Sequence, residues 1–127
     1  MAKVQTVTGS VEASELGETL IHEHLMARDE AVLVQFPQMG TIREDPVARV
    51  SSTEAEDVAA EFMAAAVERG VKTVVDPSCM YLGRDVSLMK RVSEKTGIQI
   101  VPCTGIYTYE HLPTPLLTRD ADQIADL

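Results

Sequence analysis

The sequence predicts an α/β protein built on a parallel sheet, and three observations carry that prediction. Short apolar runs rich in β-branched residues recur at 19–25, 71–77 and 98–105, without the clean polar alternation of a strand that has one wet face. Helical patterns with recognisable ends lie between them. Each helix runs directly into the next strand, which is the order of βα units.

The elements follow in chain order. In "VQTVTGSVEASELG", Val4, Val7 and Val11 flank "TGS", which suggests a short β-hairpin before the main fold. "TLIHEHL" (19–25) is the first strand of the sheet. A stretch from Met26 to Ser52 containing Pro37, Gly40 and Pro46 reads as a long loop, of a size usually found as a functional lid or as a disordered segment. Thr53 and Glu56 stand at capping-box spacing, and the helix they open runs to Gly70, a residue suited to the left-handed position after a helix. "VKTVVDP" (71–77) is the second strand. In "RDVSLMKRVSEKTG", Val86, Leu88, Met89 and Val92 form an apolar stripe that ends at Gly97, just before the third strand, "IQIVPCTG" (98–105). A third helix begins near "RDADQIADL". Three parallel strands with two complete helices leave open edges and uncovered apolar faces, so the chain is expected to be the N-terminal portion of something larger, or to be completed by partners.

A 127-residue chain that is 45% hydrophobic and 24% charged has the composition of one soluble globular unit, and no repeat or linker divides it. Its formal net charge of -9 repels nucleic-acid backbones and anionic membranes. The opening residues lack the pattern of a signal peptide and no apolar run approaches a membrane span, so a cytoplasmic protein is expected. Cys79 and Cys103 are too few for a disulfide scaffold and read as small buried hydrophobes.

The chemistry concentrates in "IHEHL". On a strand, His22 and His24 would project from one face roughly 6.6 Å apart and could converge on one cation. On a helix they would sit about 200° apart and could not. Polar residues near the C-terminal end of a strand in a parallel βα fold are placed where catalytic groups are found. Glu23 would face the other way, in a salt bridge or hydrogen bond behind the strand. Two imidazoles do not complete a catalytic zinc site, which keeps about three protein ligands and an open position. His111, in the proline-bounded "YEHLPTP", reads as a solvated loop residue, and Asp76, before Pro77, as an Asx turn in preference to a partner of a ligand. Tyr107 and Tyr109 follow Gly105 in a loop overhanging the same sheet end. They are either pocket walls with hydroxyl donors or packed tyrosines, and spacing leaves both open.

Four segments, "LGETLIHEHL", "GVKTVVDPSCMYLGRDV", "TGIQIVPCTGIYTYEHLP" and "LLTRDADQIADL", together resemble the phosphotriesterase family of the amidohydrolase superfamily, and within it the phosphotriesterase-like lactonases. They stand in the family's order and spacing and cover most of the chain outside residues 27–60. The resemblance implies the N-terminal part of a (β/α)8 TIM barrel, with a binuclear centre of divalent metal ions, zinc first, at the C-terminal ends of the strands. It implies His22 and His24 as ligands of the more buried metal, and Tyr107 as a wall of the lactone pocket with Tyr109 beside it. The implied activity is hydrolysis of lactones or other esters by a hydroxide bridging the metals, with phosphotriester hydrolysis as a side activity, in a homodimer when full length.

The chain also departs from the family pattern. The carboxylated lysine of strand four, the histidines of strands five and six and the aspartate of strand eight have no counterpart in this sequence, since a barrel needs about 250 residues. The chain by itself is therefore expected to be inactive. Tyr81 stands where the lactonases tend to have glycine, and His111 where they tend to have aspartate. A competing reading is a non-catalytic homologue or interaction module with vestigial histidines.

Overall fold

The computed structural model describes residues 2–27, 52–107 and 114–126. Strands β1 (Lys3–Thr6) and β2 (Gly9–Glu12) pair antiparallel, with Thr6 opposite Gly9 and Lys3 opposite Glu12. The Thr6 hydroxyl donates to Gly9 O at 2.7 Å and closes the turn from its own side chain. A 3-10 turn (Ala13–Glu15) leads to β3 (Thr19–Leu20). Helix α1 (Ser52–Glu68) crosses to β4 (Thr73–Asp76), and α2 (Val86–Thr96) crosses to β5 (Gln99–Pro102). Two short helices, α3 (Thr114–Leu117) and α4 (Ala121–Ala125), follow.

The three later strands form one parallel sheet in the order β3-β4-β5. Register sets one apolar row across it, because Leu20 lies opposite Val74 and Val74 opposite Ile100. Helices α1 and α2 cover that row. Ala59 and Met63 from α1 and Leu88, Met89 and Val92 from α2 share a core with Val74, Ile98 and Ile100. Each of the larger of these side chains contributes roughly 1.5–3 kcal/mol by leaving water. Between the helices, the Arg91 guanidinium lies 2.7 Å from the Glu56 carboxylate and the Lys95 ammonium 2.8 Å from that of Asp57. Both pairs are solvent-exposed and fix relative orientation more than stability.

Helix ends are satisfied by local sequence. At the end of α1, Gly70 takes φ +93°, its N–H donates to Val67 O at 2.9 Å, and Val71 N–H reaches Ala66 O at 3.1 Å. That double closure needs a residue free to enter the left-handed region, which explains the glycine. Helix α2 opens on Asp85, whose carboxylate accepts from Leu88 N–H at 2.9 Å, and ends at Gly97. The N-terminal segment seals the lower rim of the sheet. The Thr73 hydroxyl donates to Leu16 O, the Gln99 amide to Glu15 O, and Val7 N–H to Ile100 O.

Several expectations are corrected. The strands are shorter than the apolar runs: two residues where 19–25 was expected, and four each within 71–77 and 98–105. Helix α1 already includes Ser52, so Thr53 lies inside its first turn and does not cap it. Val86 is exposed while Leu88, Met89 and Val92 are buried, because it is the first residue of α2 and sits about a third of a turn from the centre of their stripe. The long loop lies, for residues 28–51, outside the described residues, as do Tyr109 and His111. No helix among the described residues is long and apolar enough to cross a membrane.

Candidate metal centre

The histidine pair lies just past β3, and the backbone there explains why the strand stops. In the register that sets Leu20 opposite Val74, the next donor to Val75 O would be the N–H of His22. The observed donor is Glu23 N–H, at 3.2 Å. One extra residue has entered the segment, which is the arrangement of a β-bulge. A slip of one residue exchanges the faces of everything that follows. Leu20 packs into the helix-covered core, whereas regular alternation would have carried His22 and His24 into that same core. Both are instead exposed beyond the upper rim of the sheet.

Asp76, at the end of β4, holds this segment in place. Its side chain is fully buried, one carboxylate oxygen accepting from Leu25 N–H at 2.9 Å and the other from Ser78 N–H at 2.7 Å. The second bond is the Asx turn expected of an aspartate before proline, and the first ties the histidine segment to the same group across the sheet. Ser78, also fully buried, places its hydroxyl 2.8 Å from His24 Nδ1 and 2.9 Å from Met26 O. The two imidazole rings meet edge to face, centroids 5.3 Å apart and planes at 75°. The two rings are thus neighbours, a proximity reached through a bulge and not through an unbroken strand.

Two exposed imidazoles at a sheet rim form a nitrogen donor pair that suits a divalent transition metal and can take further ligands. Among the described residues no group of three or more His, Cys, Asp or Glu is arranged to hold a metal ion. The pair therefore offers half of a tetrahedral set at most. Tyr107 belongs to the neighbouring loop, which is fixed by paired backbone bonds: Met80 N–H to Gly105 O at 3.1 Å and Tyr107 N–H to Met80 O at 2.9 Å. Its side chain is half-buried. Cys79 lies buried within the same β4 connection, where desolvation, reinforced by the neighbouring Cys103, pushes its thiol above the ordinary range. A thiol held protonated is a poor nucleophile, and the reading as a small hydrophobe suits it.

Ser78 and Tyr81 are the residues that sequence reasoning underused. Ser78 meets His24 across 54 positions of chain, a pairing with no local sequence signal. Tyr81 has φ +70°, alone among the described non-glycine residues in the left-handed region. The signal for it was present, since the resembling lactonases tend to have glycine at that position.

The described residues thus combine a three-stranded parallel βα sheet with two imidazoles gathered past the end of its first strand. The phosphotriesterase family model matches residues 2–127, and the chain belongs to that family, which is generally metal-dependent. It is 44% identical over 118 residues to an aryldialkylphosphatase of Saccharolobus solfataricus, covering 93% of this chain and 34% of the relative. It is 27% identical over 143 residues to the N-acetyltaurine hydrolase of Homo sapiens, covering 98% of this chain and 41% of the relative. The solved structure of the phosphotriesterase from Mycobacterium tuberculosis superposes with a TM-score of 0.72 at 28% identity, over 91% of this chain and 33% of that one. The chain thus spans about a third of the length of the first of these relatives.

Proposed function

We propose that the full-length polypeptide carrying this segment is a metal-dependent hydrolase of lactones or other esters, with aryl phosphotriester hydrolysis as a side activity. One observation carries the reading: the imidazoles of His22 and His24 stand 5.3 Å apart on a bulged segment tethered to the end of a parallel strand. In this reading both bind one divalent metal, zinc being an ion their nitrogen donors suit, within a binuclear centre whose remaining ligands come from outside the segment. Bound there, the metals supply Lewis-acid polarisation of the substrate oxygen and acidify water for attack.

The segment's own residues hold and shape. His22 and His24 grip the ion, and Tyr107, with Tyr109 beside it, walls the pocket and offers hydroxyl donors to a developing oxyanion. Residues 1–127 make up one incomplete unit, the N-terminal part of a (β/α)8 barrel, in a cytoplasmic enzyme that works as a homodimer on small molecules. A net charge of -9 argues against nucleic-acid or anionic-membrane partners. Ester chemistry is favoured over amide chemistry because the 44%-identical relative is named a phosphatase, while the human N-acetyltaurine hydrolase is 27% identical.

The test is metal analysis of the purified full-length protein together with rates on a lactone series, an aryl dialkyl phosphate and an N-acyl taurine. Bound zinc with lactone turnover is the expected result, and His22→Asn or His24→Asn is expected to lower both, by no less than the roughly 10- to 100-fold that loss of a ligand's hydrogen-bond partner costs. A metal-free, inert full-length protein would leave the vestigial-histidine reading standing. Turnover confined to the amide would overturn the ester assignment alone.

A further inference from the structure

We infer that Ser78 is a positioning residue for the metal centre: its hydroxyl fixes the tautomer and the ring orientation of His24, so that Nε2 is the nitrogen presented to the ion. The inference rests on the metal-centre reading above and goes beyond it by naming the group that prepares one ligand.

The argument is a count of hydrogens. A serine hydroxyl has one to donate and two lone pairs to accept with. Ser78 Oγ lies 2.9 Å from Met26 O, which can only accept, so the hydrogen goes there. At His24 Nδ1, 2.8 Å away, the same oxygen must then accept, and Nδ1 must carry the proton. In the neutral ring this leaves the lone pair on Nε2. The tautomer is assigned from the hydrogen-bond network, and the network leaves no alternative that satisfies both contacts.

The arrangement is also rigid. Ser78 is fully buried and its N–H is held by Asp76 at 2.7 Å. The other oxygen of that buried carboxylate holds Leu25 N–H, one residue from His24, at 2.9 Å. Hydroxyl and imidazole are thus referenced to one fixed group on β4. His24 itself is exposed, and among the described residues its ring meets this hydroxyl and the edge-to-face His22 ring. Metal-binding histidines commonly donate their second nitrogen to an oxygen partner that sets the ring, and loss of such a partner weakens metal affinity by about 10- to 100-fold. Here the partner is a hydroxyl that can serve only because Met26 O takes its hydrogen.

The test uses the full-length protein and two readouts. Nitrogen-15 NMR of the metal-free wild type reads the His24 tautomer directly, and competition with a chelator reads zinc affinity. The expected results are protonated Nδ1 on His24 in the wild type, and in Ser78→Ala a mixed tautomer with zinc affinity lowered about 10- to 100-fold at an unchanged circular dichroism spectrum. Protonated Nε2 in the wild type would overturn the inference without any variant. So would a Ser78→Ala protein that binds zinc as tightly as its parent. A wild type that takes up no zinc would instead sink the metal-centre reading itself, which separates the two failures.

Discussion

Tyr81 adopts φ +70° in the connection after β4, a conformation in which the Cβ of an L-residue crowds its own backbone. Glycine enters that region freely, which gives a backbone reason for the glycine that the resembling lactonases tend to have there. Tyr81→Gly is expected to raise stability by about 0.5–1 kcal/mol, since relief of strain outweighs the greater freedom of glycine in the unfolded chain. A higher urea midpoint at unchanged slope would register it. A lower midpoint would mean that packing of the half-buried ring matters more than the backbone. His22 and His24 were legible as a pair from spacing alone, whereas their orientation was not. It depends on one inserted residue, marked among the described residues by the hydrogen bond from Glu23 N–H to Val75 O.

Among the elements, α2 was the most legible. Its end at Gly97, closed through Ser93 O at 2.8 Å, was read from the sequence, and the structure adds its start at Asp85, whose carboxylate accepts from Leu88 N–H at 2.9 Å. Asp85→Ala is expected to cost about 1 kcal/mol, measured as a loss of unfolding free energy, while Asp85→Asn keeps most of it. Equal loss in both variants would point to the charge and not the cap. Strand β3 was legible as a strand but not in length. Its apolar run continues through Leu25, yet pairing lapses after Leu20 because the bulge breaks the ladder. Hydropathy reports burial, and Leu25 is partly buried against the core without belonging to a strand.

At the scale of the molecule, the described sheet has β3 and β5 as its edges, and no further described strand pairs with either. Ile21 is 78% exposed and Phe62 on α1 70% exposed. These surfaces and edges are of the kind that further strands and helices of a larger unit would cover. A polypeptide limited to residues 1–127 is expected to show no measurable lactone or phosphotriester turnover with added zinc, under conditions where the full-length protein turns over. Two imidazoles cannot hold a binuclear centre. Turnover by the short chain near the full-length rate would contradict this, provided its purity is established by intact mass.

Sequence alone was enough for the α/β class, the order of the elements, the glycine that ends α2, the glycine after α1 and the candidacy of His22 and His24. Each of these depends on neighbours within a few residues, through periodicity or capping. Tertiary structure alone decided that the histidines leave the core face, that Asp76 ties their segment to β4 and that Ser78 reaches His24. Those contacts join residues more than 50 positions apart, and they exist only once β3 and β4 lie side by side in register.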